Sequence, residues 1–412
     1  MNVAFYIAKR YLVAKKSHNL INIITLISVV GVGVGAFALI VVLSVFNGFE
    51  KVITDMITAV SADLVIEPKT GKYFDDEAFD FKKIESLQDV GYAVKVIEED
   101  ALFRYKDKQH IGKLKGVSHN YQTTGIFDSL MVSGNFILEN ETGEKAIAGA
   151  GVGWFLGLNT RNPAALLTVY VPKRGDPSSF SFEQAFNFRA LPVSGVFNSK
   201  QEMDETHVIV PIAFASELLG SQSEMTSVEL FAIKGADIIV LQEKVESITG
   251  NGFTVKNTMQ QQETLYQIMR SEKWAIFFIL TFILILATFN VIGSLTMLIV
   301  DKQKDIGILR KLGATPQLIK KLFLTEGVLI TLTGGILGLV LGVVVVLIQQ
   351  YFGVLKLGNE TGTFIIDAYP VELKILDIIK VFGVVFVIGW LSSVYTVRQI
   401  IKRFEKQFIN ID

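Results

Sequence analysis

Four stretches of this chain run without a single Asp, Glu, Lys or Arg, and they decide what it can fold into. They are Ile21–Phe46 (26 residues), Trp274–Val300 (27), Gly327–Leu355 (29) and Val381–Val397 (17). About 20 apolar residues cross the ~30 Å hydrocarbon layer of a bilayer, so the first three can span it with some tilt. The fourth can do so once its helix begins near Leu373. Asp377 and Lys380 would then share a face at the interface, where Lys380 can snorkel. The expected class is an α-helical membrane protein with four transmembrane helices. The 19% charged content, below the ~25% of an average soluble domain, is the mean of these runs and ordinary globular sequence.

Ala36-Phe37-Ala38 has the form of a signal-peptide cleavage site, but the apolar run around it far exceeds the ~7–15 residues of a signal core. It reads as a retained anchor. Orientation follows from basic residues near the membrane ends. Lys9, Arg10, Lys15 and Lys16 precede the first run. Lys302, Lys304, Arg310, Lys311, Lys320 and Lys321 lie between the second and third, and Arg398, Lys402, Arg403 and Lys406 follow the fourth. The third-to-fourth connection offers only Lys356 and Lys374. Both termini and the middle loop are therefore expected in the cytoplasm. The expected layout is a cytoplasmic amphipathic segment 1–20, helix 21–46, an extracytoplasmic domain 47–273, helix 274–300, a cytoplasmic loop 301–321, helix 322–349, a short outer loop 350–372, helix 373–397 and a cytoplasmic tail 398–412.

The 227 residues of 47–273 are enough to bury a core of their own. β-type runs (Ala62–Ile66, Leu166–Val171, His207–Val210, Ser227–Ile233) alternate with helical periodicity at Phe79–Leu87 and Ile238–Ile248, which predicts a large α+β domain inserted between the first and second spans. Pro172–Phe182, with Lys173, Arg174, Phe180 and Phe182, reads as a long loop before a strand near Leu191–Phe197. Loops of this length are either functional or simple hairpin tips.

Enzymatic signatures are scarce. The four histidines (His18, His110, His119, His207) lack metal-ligand spacing, and no Cys is present, so no thiolate metal site, Cys nucleophile or disulfide is expected. Gly71-Lys72 and Gly112-Lys113 are followed by Tyr73 and Leu114, where a phosphate-binding loop needs Ser or Thr. No catalytic or metal residue is assigned, and a net charge of −1 gives no field for nucleic acid. Gly31 and Gly35, and the ladder Gly334, Gly338 and Gly342, predict close helix packing. Asn290, Ser294, Ser392 and Ser393 are expected as interhelical hydrogen-bond partners. Glu326, five residues after Lys321, is expected at the cytoplasmic interface.

The most specific pattern is in the cytoplasmic loop. Lys304, Ile306, Gly307, Leu309, Arg310, Lys311 and Leu312 predict a short amphipathic helix with its apolar edge at Ile306, Leu309 and Leu312. Gly313 would close it, and Thr315-Pro316 would open the next helix. Such a helix can rest on headgroups or enter a groove in a partner.

This loop, the following Thr325-Glu326-Gly327 with Gly334, Gly335 and Gly338, and the Ser44-Val45-Phe46-Asn47-Gly48-Phe49-Glu50 string resemble the permease family of FtsX, MacB, LolC and LolE, most closely its LolC/LolE branch. Phe46 departs from the Met usual there. The resemblance implies a MacB-like periplasmic core as the inserted domain. It also implies a type VII ABC transporter subunit in the bacterial inner membrane, which extracts mature lipoproteins for a LolA-like periplasmic carrier. A separate LolD-like ATPase would bind ATP and Mg, leaving no cofactor on this chain. A second permease, self or paralogue, lipoprotein cargo and membrane lipids complete the implied partners. The short helix would be the coupling helix, and Val42, Val45, Phe46, Phe49, Phe278 and Phe282 would line the acyl-chain cavity. The loop from Pro172 would lie where LolC carries its carrier-binding hook. A MacB-like peptide or toxin exporter and an FtsX-like regulator of wall hydrolases are the alternatives.

Overall fold

The computed structural model describes residues 19–58, 60–75, 77–160, 165–173, 185–221, 223–356 and 368–409, so most of the amphipathic segment 1–20 lies outside the described residues. The chain divides into two compact units, Ile53–Tyr266 and the remainder.

Unit 53–266 contains strands β1 (Leu64–Pro68), β2 (Phe74–Asp75), β3 (Val90–Tyr105), β4 (Lys108–Val117), β5 (Met131–Gly134), β6 (Glu139–Asn140), β7 (Gly143–Glu144) and β8 (Ala146–Gly149). They are followed by β9 (Leu167–Pro172), β10 (Phe186–Leu191), β11 (Val193–Phe197), β12 (His207–Pro211), β13 (Glu224–Met225), β14 (Ser227–Ala232) and β15 (Phe253–Asn257). Eleven form one sheet in the order β15-β1-β14-β3-β4-β12-β8-β11-β5, with β9 on β3 and β10 on β9. Pairing is antiparallel except β4 with β12 and β8 with β11. Because side chains alternate along a strand, the central strands feed two cores. Leu64, Ile66, Val208 and Val210 enter one, while Val65 and Ile209 enter the other. A strand covered on both faces reads as continuous hydrophobic sequence, as His207–Val210 does after its first residue. Helices Phe81–Glu85, Ala150–Leu156, Ile212–Leu219 and Ile238–Thr249, with shorter helical turns, make this an α+β unit. The first is shorter than Phe79–Leu87 because Asp80 caps it, its side chain accepting from Lys83 N. One buried ion pair crosses the sheet: Lys115 Nζ lies 2.7 Å from Glu229, with the Tyr121 ring beside it.

The second unit is helical: α1 (Asn19–Thr58), α2 (Glu263–Asp301), α3 (Gln303–Lys311), α4 (Pro316–Phe352) and α5 (Ile375–Ile409). Four of these are long and apolar enough to cross a membrane. α1 and α2 outrun their apolar segments, since no proline interrupts either, so the inserted unit is narrower than 47–273. α4 starts at Pro316 rather than 322, with the Thr315 hydroxyl accepting from Leu318 N.

Val32, Leu39, Leu284, Ile330 and Val381 form one core of this unit, and Leu295, Leu298, Phe323 and Val397 another. Glu326 is fully buried within the helical unit. Five residues turn a helix by roughly 140°, so an exposed Lys321 puts Glu326 inside. Ser294 meets Thr25 across helices at 3.3 Å. Asn290 takes part through its carbonyl, which accepts from Ser28, and Ser393 bonds within its own helix to Gly389 O.

Candidate functional site

The Asn-Gly-Phe-Glu string falls on α1 near the end from which the chain continues into the inserted unit, and its side chains meet α2 and the start of α5 with the segment before it. Asn47 is fully buried. Its Nδ2 donates to Asp377 Oδ2 at 2.7 Å and to the Glu372 carbonyl at 3.2 Å, and its Oδ1 accepts from Lys273 of α2. Both amide hydrogens and the carbonyl oxygen are thus used. The Glu372 N–H donates to Ser44 O at 2.8 Å, so both peptide groups of Glu372 are held by α1.

Glu50 lies 3.5 Å from Lys273 and 3.2 Å from Lys374. A Cβ on Gly48 would overlap the backbone of Pro370 and Val371, which is why glycine stands there. Phe49 packs edge-on against Tyr369, with ring centroids 5.4 Å apart. From α4, Gln349 donates to Leu355 O and Tyr369 O and accepts from Leu355 N. Asp377 is buried, with Lys380 3.4 Å from it. Lys273, Glu372 and Lys374 were missed as partners because charges flanking an apolar run inform on topology first, and Gln349 because one uncharged amide inside such a run gives no signal.

At the opposite end of the helices, α3 closes as the sequence predicts. Leu312 is its C-cap and Gly313, at φ +90°, follows. Gly313 N donates to Arg310 O and Ala314 N to Leu309 O, the pair of hydrogen bonds of a Schellman turn. The free edge differs from expectation. Ile306 packs against the helical core and Leu309 is half-buried, whereas Ile308 and Leu312, four apart, are 58% and 79% exposed beside Lys304 and Lys311. A Cβ on Gly307 would meet nothing, and Arg310 is half-buried.

The glycine seam also divides. A Cβ on Gly334 would overlap Val29 O, one on Gly338 would overlap Gly33 O, and one on Gly342 would meet the Ile40 side chain, so α4 closes on α1 through Gly33. Gly31 and Gly35 face α2 instead: Gly31 makes ordinary contacts with Asn290 and Ala287, and Gly35 would press on Leu284 at 2.7 Å.

The cavity candidates are spread. Val42, Val45 and Phe46 are half-buried, Phe49 belongs to the cluster with Tyr369, and Phe278 and Phe282 are exposed, Phe278 stacking on Trp274 at 5.6 Å. Pro172 and Lys173 are exposed at the end of the β9–β10 hairpin, where Lys173 N donates to Ala185 O. Arg174, Phe180 and Phe182 lie outside the described residues.

In the inserted unit, a polar cleft of about 430 Å³ is lined by Glu67, Lys72, Glu98, Glu99, Asp100 and Lys113. Burial works to raise the Glu98 carboxyl. Hydrogen bonds and charge from His207 and Lys113 outweigh it and hold the group well below the usual carboxylate range. Among the described residues no group of His, Asp and Glu has the arrangement of a metal site.

The sequence matches the MacB-like periplasmic core domain over residues 25–248, more than half of the chain, and the FtsX-like permease C-terminal domain over residues 277–403. Four long apolar helices with a MacB-like core between the first and second define a class of permease, and the chain belongs to that family. Its full-length likeness is to lipoprotein-releasing system transmembrane proteins. It is 24% identical to LolE of Haemophilus influenzae, over 96% of each chain, and 24% identical to LolC of Neisseria meningitidis serogroup B, over 96% of this chain and 95% of that one. The macrolide export ATP-binding/permease protein MacB of Marinobacter nauticus is 22% identical, with 91% of this chain covering 56% of that protein.

Proposed function

We propose that this chain is the permease subunit of a type VII ABC transporter that extracts mature lipoproteins from the inner membrane and passes them to a periplasmic carrier. The observation that carries this reading is the end-to-end likeness to LolC and LolE, which includes the order of spans and inserted core. Moving each acyl CH₂ out of the bilayer costs about 0.8 kcal/mol, so multiply acylated cargo needs an external energy source. That source is a separate LolD-like ATPase, which holds ATP and Mg. α3 seats on it through Lys304, Ile308, Lys311 and Leu312, with the termini on the same cytoplasmic side. A second permease, self or paralogue, completes the acyl cavity. Val42, Val45, Phe46, Phe278 and Phe282 are candidates for its lining, and the segment after Pro172 for the carrier contact.

Depleting the protein and fractionating membranes tests the reading. Tagged lipoproteins should accumulate in the inner membrane, and normal sorting would sink it. At the coupling surface, Ile308→Asp with Leu312→Asp should remove the ATPase from the purified complex while membrane insertion is unchanged. Co-purification at unaltered stoichiometry refutes that assignment.

A further inference from the structure

Part of one face of the eleven-stranded sheet is left uncovered. Along β3, Phe103 and Tyr105 enter the first core, while Val94 and Val96 on the opposite face enter the second. That second cover does not extend to the far half of β3. There the register sets four apolar side chains abreast across four strands: Ile111 of β4 opposite Leu102 of β3, Leu102 opposite Tyr170 of β9, and Tyr170 opposite Phe188 of β10. Directly paired residues of antiparallel strands share a face. Among the described residues these four belong to neither core. Ile111 is 77% and Phe188 60% exposed, and the rings of Tyr170 and Phe188 lie 5.5 Å apart. A contiguous apolar row of this kind marks a contact surface.

The flanking rows identify what fits it. Two residues along the strands to one side stand Arg104 on β3 and Ala190 on β10, and to the other side stand Asp100 and Phe186. Turning a second copy of the face by 180° about the apolar row lays each row residue over its own counterpart and exchanges the flanks. Arg104 then faces Asp100 of the second copy and Ala190 faces Phe186, each contact occurring twice. Opposite charges meet, and a small side chain meets a large one. Lys113 faces the neutral Gln109. Arg104 and Asp100 are both exposed, so the charges are available for this pairing.

We propose that this face pairs the inserted units of two copies of the chain, row on row about a two-fold axis, as a self-complementary interface requires. Four strands and three rows cover a patch about 14 Å on each side. A stable complex buries roughly 800 Å² per partner, so this contact belongs to an assembly with further contacts and does not hold two copies by itself. The inference rests on the transport reading in the form in which the second permease is another copy of this chain, and it adds the surface by which the inserted units meet.

The chain has no cysteine, so Ile111→Cys gives one exposed thiol per copy in the row. Facing sheets stand about 10 Å apart, so a bis-maleimide of about that reach should link two copies in membranes of cells making the full-length protein. Adding Arg104→Asp sets like charges against each other twice per pair and should lower the cross-linked yield by roughly fivefold. Adding Asp100→Arg as well should restore it. No cross-link between copies, a yield unmoved by Arg104→Asp, no recovery in the exchange, or a cross-link to a different protein overturns the proposal. A purified complex with one copy of this chain beside a different permease also overturns it, while the transport reading stands. Normal lipoprotein sorting on depletion would overturn the transport reading and leave the cross-link unchanged.

Discussion

Glu98 and Lys115 show how single charged residues set the inserted unit's tolerance of pH and substitution. The Glu98 carboxylate is held by Lys113 at 2.8 Å, with His207 3.8 Å away. Its folded value lies below its ordinary 4.5, so the stabilisation is complete above about pH 4.5 and is lost as pH falls toward the folded value. Glu98→Gln should therefore lower the melting temperature at neutral pH and flatten its decline below pH 4.5, measured by calorimetry of the intact protein. An unchanged acid limb would exclude Glu98 as a source. Lys115 is a different case: burial disfavours its charge, yet the nearby Glu229 carboxylate keeps it protonated. Lys115→Ala should cost about 3–5 kcal/mol by leaving Glu229 buried alone, whereas replacing both with Met should recover much of it. Neither pairing was visible in the sequence, since Lys115 and Glu229 meet only through the order of strands β4, β3 and β14.

For the helices, the sequence reveals which residues share a face but not which neighbour that face meets. The spacing of Gly334, Gly338 and Gly342 marked a close approach on α4, and Gly31 with Gly35 marked one on α1. Gly33 lies about 200° around the helix from Gly31, and it is the residue that meets α4. Gly338→Val should destabilise the protein by about 1–3 kcal/mol or more because Gly33 O cannot retreat without moving α1. Gly31→Ala, with neighbours at 3.8 and 3.9 Å, should be tolerated. Thermal unfolding in detergent distinguishes them, and equal sensitivity would contradict the seam. α3 carries the same lesson: caps and length followed from Gly313 and Thr315-Pro316, but the outward edge passed to Ile308 once Ile306 found the helical core.

Over the whole molecule, hydropathy and charge disclosed the four spans and the inserted domain because both are sums over many residues. The mixed order of the eleven-stranded sheet stayed hidden, since it depends on pairings between distant segments. Orientation is a whole-molecule property with a direct test. Lys72→Cys should react with a membrane-impermeant maleimide in cells with a permeabilised outer envelope, and Lys311→Cys only after the inner membrane is broken. The reverse pattern would overturn the proposed topology. The bond from Asn47 to Asp377 also spans 330 residues of sequence. At a synthesis rate of about 5–20 residues per second, the first helix waits roughly 15–65 s before its partner leaves the ribosome. Lys273 is made earlier and can reach the amide oxygen, but until Glu372 and Asp377 arrive the amide hydrogens have only water, lipid or an assembly factor to bond with, so biogenesis has a built-in interval in which the first span is inserted but unfinished.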